Sequence, residues 1–211
     1  MRILIFGGTG TIGSACADLA TELGHHVTIA SSSEGDHPPV SDKQFDAVVW
    51  AQGQNVSDTA VTTEKFAEVM DANVTFIVRS FQNLQQGGNL ANPSRLVLVS
   101  SIWQNLSREN KFSYIVSKSA LNGVVNAFTA DFARHGIVTN AVLPGVVESP
   151  MTTKNLTPSQ IANVTSQTPT KSLVGTDELA KIILWLASPE SSGIVGQSIT
   201  VDNGWSNFRE I

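Results

Sequence analysis

The sequence predicts an α/β fold built on a doubly wound parallel sheet, and three observations predict it. Short apolar runs alternate with helix-period stretches along the whole chain. The runs are near-continuous in aliphatic residues, as in Leu96-Val97-Leu98-Val99. That suits strands covered on both faces, the condition of a parallel sheet. The first run, Arg2-Ile3-Leu4-Ile5-Phe6, feeds a glycine-rich turn and then a helical pattern. Right-handed crossovers between such strands place helices on both faces of one sheet. A chain of 211 residues suits a single domain over residues 1–211.

The elements follow in order. After the strand at 2–6 and the turn, residues 14–23 carry apolar side chains at helical spacing and stop at Gly24. His26 to Ala30 and Phe45 to Ala51 read as strands. Only residues 31–44 separate them, too few for a helix and a strand, so the edge unit after the second strand is shortened or lost. Thr62 to Gln86 is a long helical stretch ended by Gly87-Gly88. Arg95 to Ser100 is a strand. Ser113 to Arg134 is a helix that closes at Gly136, and Ile137 to Leu143 is a strand cut off by Pro144-Gly145. Asp177 to Ala187 is a helix with Thr176 as its N-cap, and Ser198 to Val201 is the last strand. Residues 149–175 are the least regular stretch and the expected lid over a substrate.

In doubly wound sheets ligands gather at the carboxyl ends of the strands. The residues just after the strands should therefore share one crevice. They are the glycine turn, Ala51-Gln52-Gly53, Ser100-Ser101 and Pro144-Gly145. The turn reads Gly7-Gly8-Thr9-Gly10-Thr11-Ile12-Gly13, which satisfies both G-x-G-x-x-G and G-x-x-G-x-x-G. Glycines let the chain turn tightly and bring its backbone and the helix N-terminus against a pyrophosphate.

Near the middle of the chain stands its only tyrosine, Tyr114, with Lys118 four residues on. That spacing puts both on one face of a helix. A phenol ionises near pH 10, too high for ready proton transfer at neutral pH. A cation about 4 Å away in a partly buried site stabilises the phenolate and brings it into a useful range.

Composition narrows the function classes. The net charge of −5 and a pI near 5.3 give no footprint for nucleic acid or anionic membrane. No apolar stretch is long enough to span a bilayer, and glycine breaks the first apolar run at once. A soluble cytoplasmic protein is the expectation. Cys16 is the single cysteine, and His25, His26, His37 and His135 show no metal-ligand spacing, so no metal site is expected.

With these stations in order, the chain resembles the short-chain dehydrogenase/reductase family over essentially its whole length. They are the glycine turn, Ala51-Gln52-Gly53, Asn73, Ser100-Ser101, Tyr114 with Lys118, Asn140 to Met151, and Val201-Asp202-Asn203-Gly204. The resemblance implies a Rossmann-type fold and hydride transfer between a nicotinamide cofactor and a small carbonyl or alcohol substrate. It makes Tyr114 the general acid-base and Lys118 the group that holds the nicotinamide ribose and lowers the phenol's pKa. Ser101, with Ser100 as the alternative, would bind the substrate oxygen. Asn73 would hold a relay water, stabilise a helix irregularity, or do both. Gly7, Thr9, Gly10, Thr11, Ile12, Gly13, Ala51, Gln52, Gly53, Pro144, Val147 and Ser149 would line the cofactor, together with Tyr114 and Lys118. The family's long helices also commonly pair into homodimers or homotetramers, and Val124, Val125 and Phe128 are apolar positions expected to serve that contact, though some of them must pack on the chain's own sheet.

The sequence departs from the family pattern at several places. Phe6 and Thr11 stand where threonine and glycine are usual in the turn, Gln52 where asparagine is, and Ser149 where threonine is. An acidic residue at the tip of the second strand usually binds the ribose 2′-hydroxyl and repels a 2′-phosphate. Here the tip reads Ser31-Ser32-Ser33, which favours NADP(H) over NAD(H). No arginine or lysine stands at the tip, and Asp42 is as readily a solvated carboxylate as an adenine-side contact. Trp103 and Trp205 are candidates to shape an apolar pocket, Trp205 equally for the core or a subunit contact. Two other function classes fit the same residues. One is a non-catalytic NADP-binding regulator of the same fold. The other is a nucleotide-sugar epimerase or dehydratase, which normally needs a larger C-terminal region.

Overall fold

The computed structural model describes residues 1–30 and 44–208. Six strands run parallel: β1 (Arg2–Phe6), β2 (His26–Ala30), β3 (Phe45–Trp50), β4 (Leu90–Val99), β5 (Ile137–Pro144) and β6 (Ser198–Val201). They form one sheet in the order β2-β1-β3-β4-β5-β6. Among the described residues β2 is the edge on its side, so the segment of the predicted shortened unit, residues 31–43, lies outside the description.

Because strand side chains alternate faces, each central strand feeds two cores. Leu4, Phe6, Val48, Trp50, Leu96 and Leu98 point to one face. There they meet Ile77, Phe81 and Leu84 of α3 (Phe76–Gln86) and Leu121, Val125 and Phe128 of α4 (Phe112–Phe132). Ile3, Ile5, Ala47, Val49, Val97 and Val142 point to the other. They are covered by Cys16, Ala17 and Ala20 of α1 (Thr11–Glu22) and by Leu179, Ala180 and Ile183 of α7 (Thr176–Leu186). Double coverage is why the strands read as unbroken apolar runs.

Several expectations change in detail. Helix α1 starts at Thr11, three residues earlier than predicted, because the turn passes straight into it from Gly10. The stretch expected at 62–86 is helical from α2 (Phe66–Met70) through a π-helical turn at Asp71–Thr75 into α3. The N-cap of α7 is Gly175, whose amide donates to Glu178 Oε2 at 3.0 Å, rather than Thr176. The stretch at 149–175 is more regular than expected. It holds α5 (Pro150–Asn155) and α6 (Pro158–Gln167), capped by the Ser149 and Thr157 hydroxyls. Val125 and Phe128 are buried in the core, while Val124 packs against it and stays half-buried. No helix of the described residues is long and apolar enough to cross a membrane.

Candidate active site

The chain leaves β1 towards β2 on one side and β3 on the other, so the order of winding reverses between β1 and β3. A crevice opens at such a switch point. A cleft of about 720 Å³ lies there. The glycine turn lines it through Gly7, Thr9, Gly10, Thr11 and Ile12, and the end of β3 through Ala51, Gln52 and Gly53. Ser100 and Ser101 line it from the end of β4, Tyr114 from α4, and Pro144, Val147 and Ser149 from the segment after β5. Gly13, Asn73 and Lys118 do not reach the lining; each is buried behind it. Ser31 and Ser32, the residues expected to read the cofactor's ribose, lie outside the described residues, as does Asp42.

The turn is shaped by two glycines. Gly7 has φ +77°, and a Cβ there would meet Gln52 N at 2.6 Å. A Cβ on Gly13 would meet the Gly7 carbonyl oxygen at 2.2 Å. Both conditions exclude a side chain and bring the start of α1 against the turn. The first turn of α1 carries no acidic residue, so its amides and dipole keep their positive end. The Gln52 side chain adds a second sign. Both its amide nitrogen and oxygen are buried without a partner among the described residues. Such a pair costs a few kcal/mol unless something polar binds against it. A glycine cradle, an unopposed helix N-terminus and an orphaned amide fit a dinucleotide.

Ser101, Tyr114 and Lys118, the residues expected to react, converge near the carboxyl ends of β3 and β4. Tyr114 sits in the first turn of α4, half-buried. Burial pushes its phenol above the ordinary value, and a hydrogen bond with Ser101 pulls it partly back. Lys118 lies on the same helix face, its Nζ 5.7 Å from the Tyr114 ring centroid. The ammonium is turned to the Val99 carbonyl at 2.9 Å, and burial and Ser101 set the direction of the phenol's shift. Burial brings Lys118 itself down to about 8. Asn73 sits at the π-helical turn and clamps three elements. Its Oδ1 accepts from Gln54 N at 2.6 Å, and its Nδ2 donates to Gln54 O at 3.0 Å and to Ser117 Oγ at 2.9 Å. Asn73 thus stands within the helix irregularity, with its side chain tying Gln54 to Ser117.

Sequence reasoning missed Asp58. It follows β3, is buried, and accepts from both the amide of Ser113, at 3.0 Å, and the Ser113 hydroxyl. Burial pushes its carboxyl up. The Ser113 and Thr63 hydrogen bonds and the Lys111 charge more than reverse this and hold it below 3.8. Asp58 thereby caps the helix that carries Tyr114 and Lys118 from 55 residues away in sequence, a spacing with no local signal. The tryptophans also find places. Trp103 lines the cleft, and Trp205 meets it edge-on with centroids 5.9 Å apart while donating to Gln167 of α6. The stem of the 149–175 segment is pinned by Glu148 N to Val174 O at 2.9 Å and Val174 N to Val146 O at 3.0 Å.

Residues 42–206 match the family model described as Enoyl-(Acyl carrier protein) reductase. The chain belongs to the short-chain dehydrogenase/reductase family. Among similar curated proteins is the 3-oxoacyl-(acyl-carrier-protein) reductase FabG of Vibrio harveyi, 24% identical over 233 positions covering 95% of both chains. FabG of Thermotoga maritima is 35% identical over 132 residues, 63% of this chain. That of Vibrio cholerae is 28% identical over 141 residues, 67% of this chain. These two matches span only 51% and 57% of the relatives' own lengths. Two solved structures share the fold. Aldohexose dehydrogenase from Thermoplasma acidophilum in ligand-free form has a TM-score of 0.87 at 19% identity, covering 100% of this chain and 95% of that one. 4-hydroxyisoleucine dehydrogenase complexed with NADH has a TM-score of 0.86 at 17% identity, covering 99% of each chain.

Proposed function

We propose that this short-chain dehydrogenase/reductase is an oxidoreductase that interconverts a carbonyl and an alcohol in the cleft, with Tyr114 as its general acid-base. The observation that carries the reading is the meeting of the Tyr114 and Ser101 hydroxyls in the cleft, with Lys118 buried on the same face of α4. The reductase names of the curated relatives favour the direction of carbonyl reduction. Residues 1–211 work as one catalytic and cofactor-binding domain.

The glycine turn and the α1 N-terminus would hold the pyrophosphate of a nicotinamide dinucleotide, and Gln52 would meet a polar group of it. When bound, that cofactor supplies the hydride in reduction and accepts it in oxidation. NADP(H) is favoured over NAD(H) because Ser31 and Ser32 stand where a carboxylate would repel a 2′-phosphate. Ser101 holds the substrate oxygen by hydrogen bonding. The Tyr114 hydroxyl gives its proton to that oxygen in reduction and takes one from the alcohol in oxidation. Lys118, buried behind the phenol on the same face of α4, would hold the ribose of the nicotinamide half. Asn73 fixes the loop after β3 to α4 and so keeps this geometry.

The test is oxidation of NADPH and of NADH over a panel of aldehydes, ketones and quinones, run with the parent and with Tyr114→Phe. A parent that turns over a carbonyl while Tyr114→Phe is slower by about two to four orders of magnitude supports the assignment. Full turnover by Tyr114→Phe ends it. A homodimer or homotetramer completes the proposal. Its contact would use the exposed small residues of α4, such as Gly123, Ala127 and Ala130, and a monomeric mass by light scattering at micromolar concentration rejects it.

A further inference from the structure

Two charged side chains line the cleft among the described residues, Arg108 and Lys111, and both are cations. No aspartate or glutamate lines it among those residues, in a chain whose net charge is −5. Both cations come from the segment between β4 and α4 that ends three residues before Tyr114. They therefore belong to the reacting end of the cleft.

Lys111 is fixed. Its Nζ donates to Asn55 Oδ1 at 2.8 Å, Val56 O at 3.1 Å and Ser57 Oγ at 3.3 Å, all of them neutral acceptors. Arg108 is exposed and has no hydrogen bond or ion pair among the described residues. The two are close enough to repel. After burial, the Arg108 charge is the next cause that holds the Lys111 pKa down, and Asp58 acts in the opposite direction. Asp58 faces Lys111 but is committed to the Ser113 amide and hydroxyl. Glu109 adjoins Arg108 in sequence and does not line the cleft. Two like charges in one concave site are unfavourable to each other, and an anion placed between them relieves both. A guanidinium presents a planar fork that matches a carboxylate or a phosphate. Trp103 and Leu156 supply apolar wall in the same cleft.

We infer that this end of the cleft is an anion subsite, and that the carbonyl or alcohol substrate carries a carboxylate or phosphate group received by Arg108 beside the fixed Lys111. The inference rests on the oxidoreductase reading of the same cleft and adds the substrate's charge class to it.

The test uses matched carbonyl pairs that differ in the anionic group: acetoacetate and levulinate against their ethyl esters, and dihydroxyacetone phosphate against dihydroxyacetone. Consumption of NADPH or NADH is followed with the parent and with Arg108→Gln. The expected result is a kcat/KM about tenfold or more higher for the anionic member, weakened at about 0.5 M salt. Arg108→Gln collapses the ratio, mainly through KM. The carboxylate and phosphate arms show which anion the site prefers. Equal kcat/KM within every pair in the parent overturns the inference, and so does an Arg108→Gln effect shared equally by the neutral members. Should no pair be turned over, calorimetric titration of the same compounds, with saturating oxidised cofactor, decides both points separately. Anion-selective binding lost in Arg108→Gln upholds the subsite and tells against the oxidoreductase reading. Absence of anion-selective binding overturns the subsite alone.

Discussion

Replacing Lys118 by methionine is expected to make the protein more stable while removing its activity. Lys118 is buried, and burial brings it from 10.5 to about 8. That drop means the folded protein carries a buried charge at neutral pH at a cost of about 3 kcal/mol. Methionine fills similar volume without charge but leaves the Val99 carbonyl unpaired, which costs about 1–2 kcal/mol. The variant should then gain about 1–2 kcal/mol at pH 7, in line with the replacement of buried charges elsewhere. Its pH dependence is more decisive. Because the folded pKa lies below the unfolded one, the unfolded parent binds more protons between about 8 and 10.5, and parent stability rises with pH there. The methionine variant lacks that rise, so its advantage should shrink by about 1.4 kcal/mol between pH 7 and pH 9. Cys16, pushed up to about 12 by burial, and Tyr114, also raised, act in the opposite sense at higher pH, but both are common to the two proteins. Urea unfolding at pH 7 and pH 9 measures the gap. A gap that stays constant across that range refutes the buried charged lysine.

Asp58→Ala leaves the Ser113 amide without its acceptor at the start of α4 and the Ser113 hydroxyl with Thr63 alone, and should cost about 2 kcal/mol of stability at pH 7 by urea unfolding. The folded carboxyl is held below 3.8, so the parent's advantage should persist above that value and fade as pH falls through the folded pKa. Gly13→Ala forces a Cβ against the Gly7 carbonyl oxygen and Gly8 Cα, so the turn must shift. A titration of dinucleotide binding should show affinity weaker by about tenfold or more, from about 1–3 kcal/mol of overpacking. Ser31→Asp should turn a preference for NADPH into one for NADH, since a carboxylate near a 2′-phosphate is strongly repulsive in a low-dielectric groove. Equal affinity of the unmodified protein for the two cofactors removes the basis for that expectation.

Burial on both faces forces the strands to read as unbroken aliphatic runs, so the sheet was legible in residues 2–6, 26–30, 45–50, 137–143 and 198–201 before any contact was known. Glycine chemistry is equally local. Gly7 and Gly13 announce a close turn because no side chain fits there, and Tyr114 with Lys118 share a helix face by spacing alone. Helices α5 and α6 are harder to read. Both α5 and α6 are short, and the described residues of α6 are not buried, so no core stripe marks them. Burial also decided Val124, Val125 and Phe128. A helix period gives an apolar face but not which neighbour covers it, and here the sheet and α3 do. Only the tertiary structure brought Asp58 to the start of α4 and turned Lys118 to Val99 rather than to the phenol. It also gathered Arg108 and Lys111 into a cleft without carboxylates among its described lining. The physical reason is range: propensity and spacing act within a few residues, while charge, desolvation and capping act between whatever side chains the sheet order brings together.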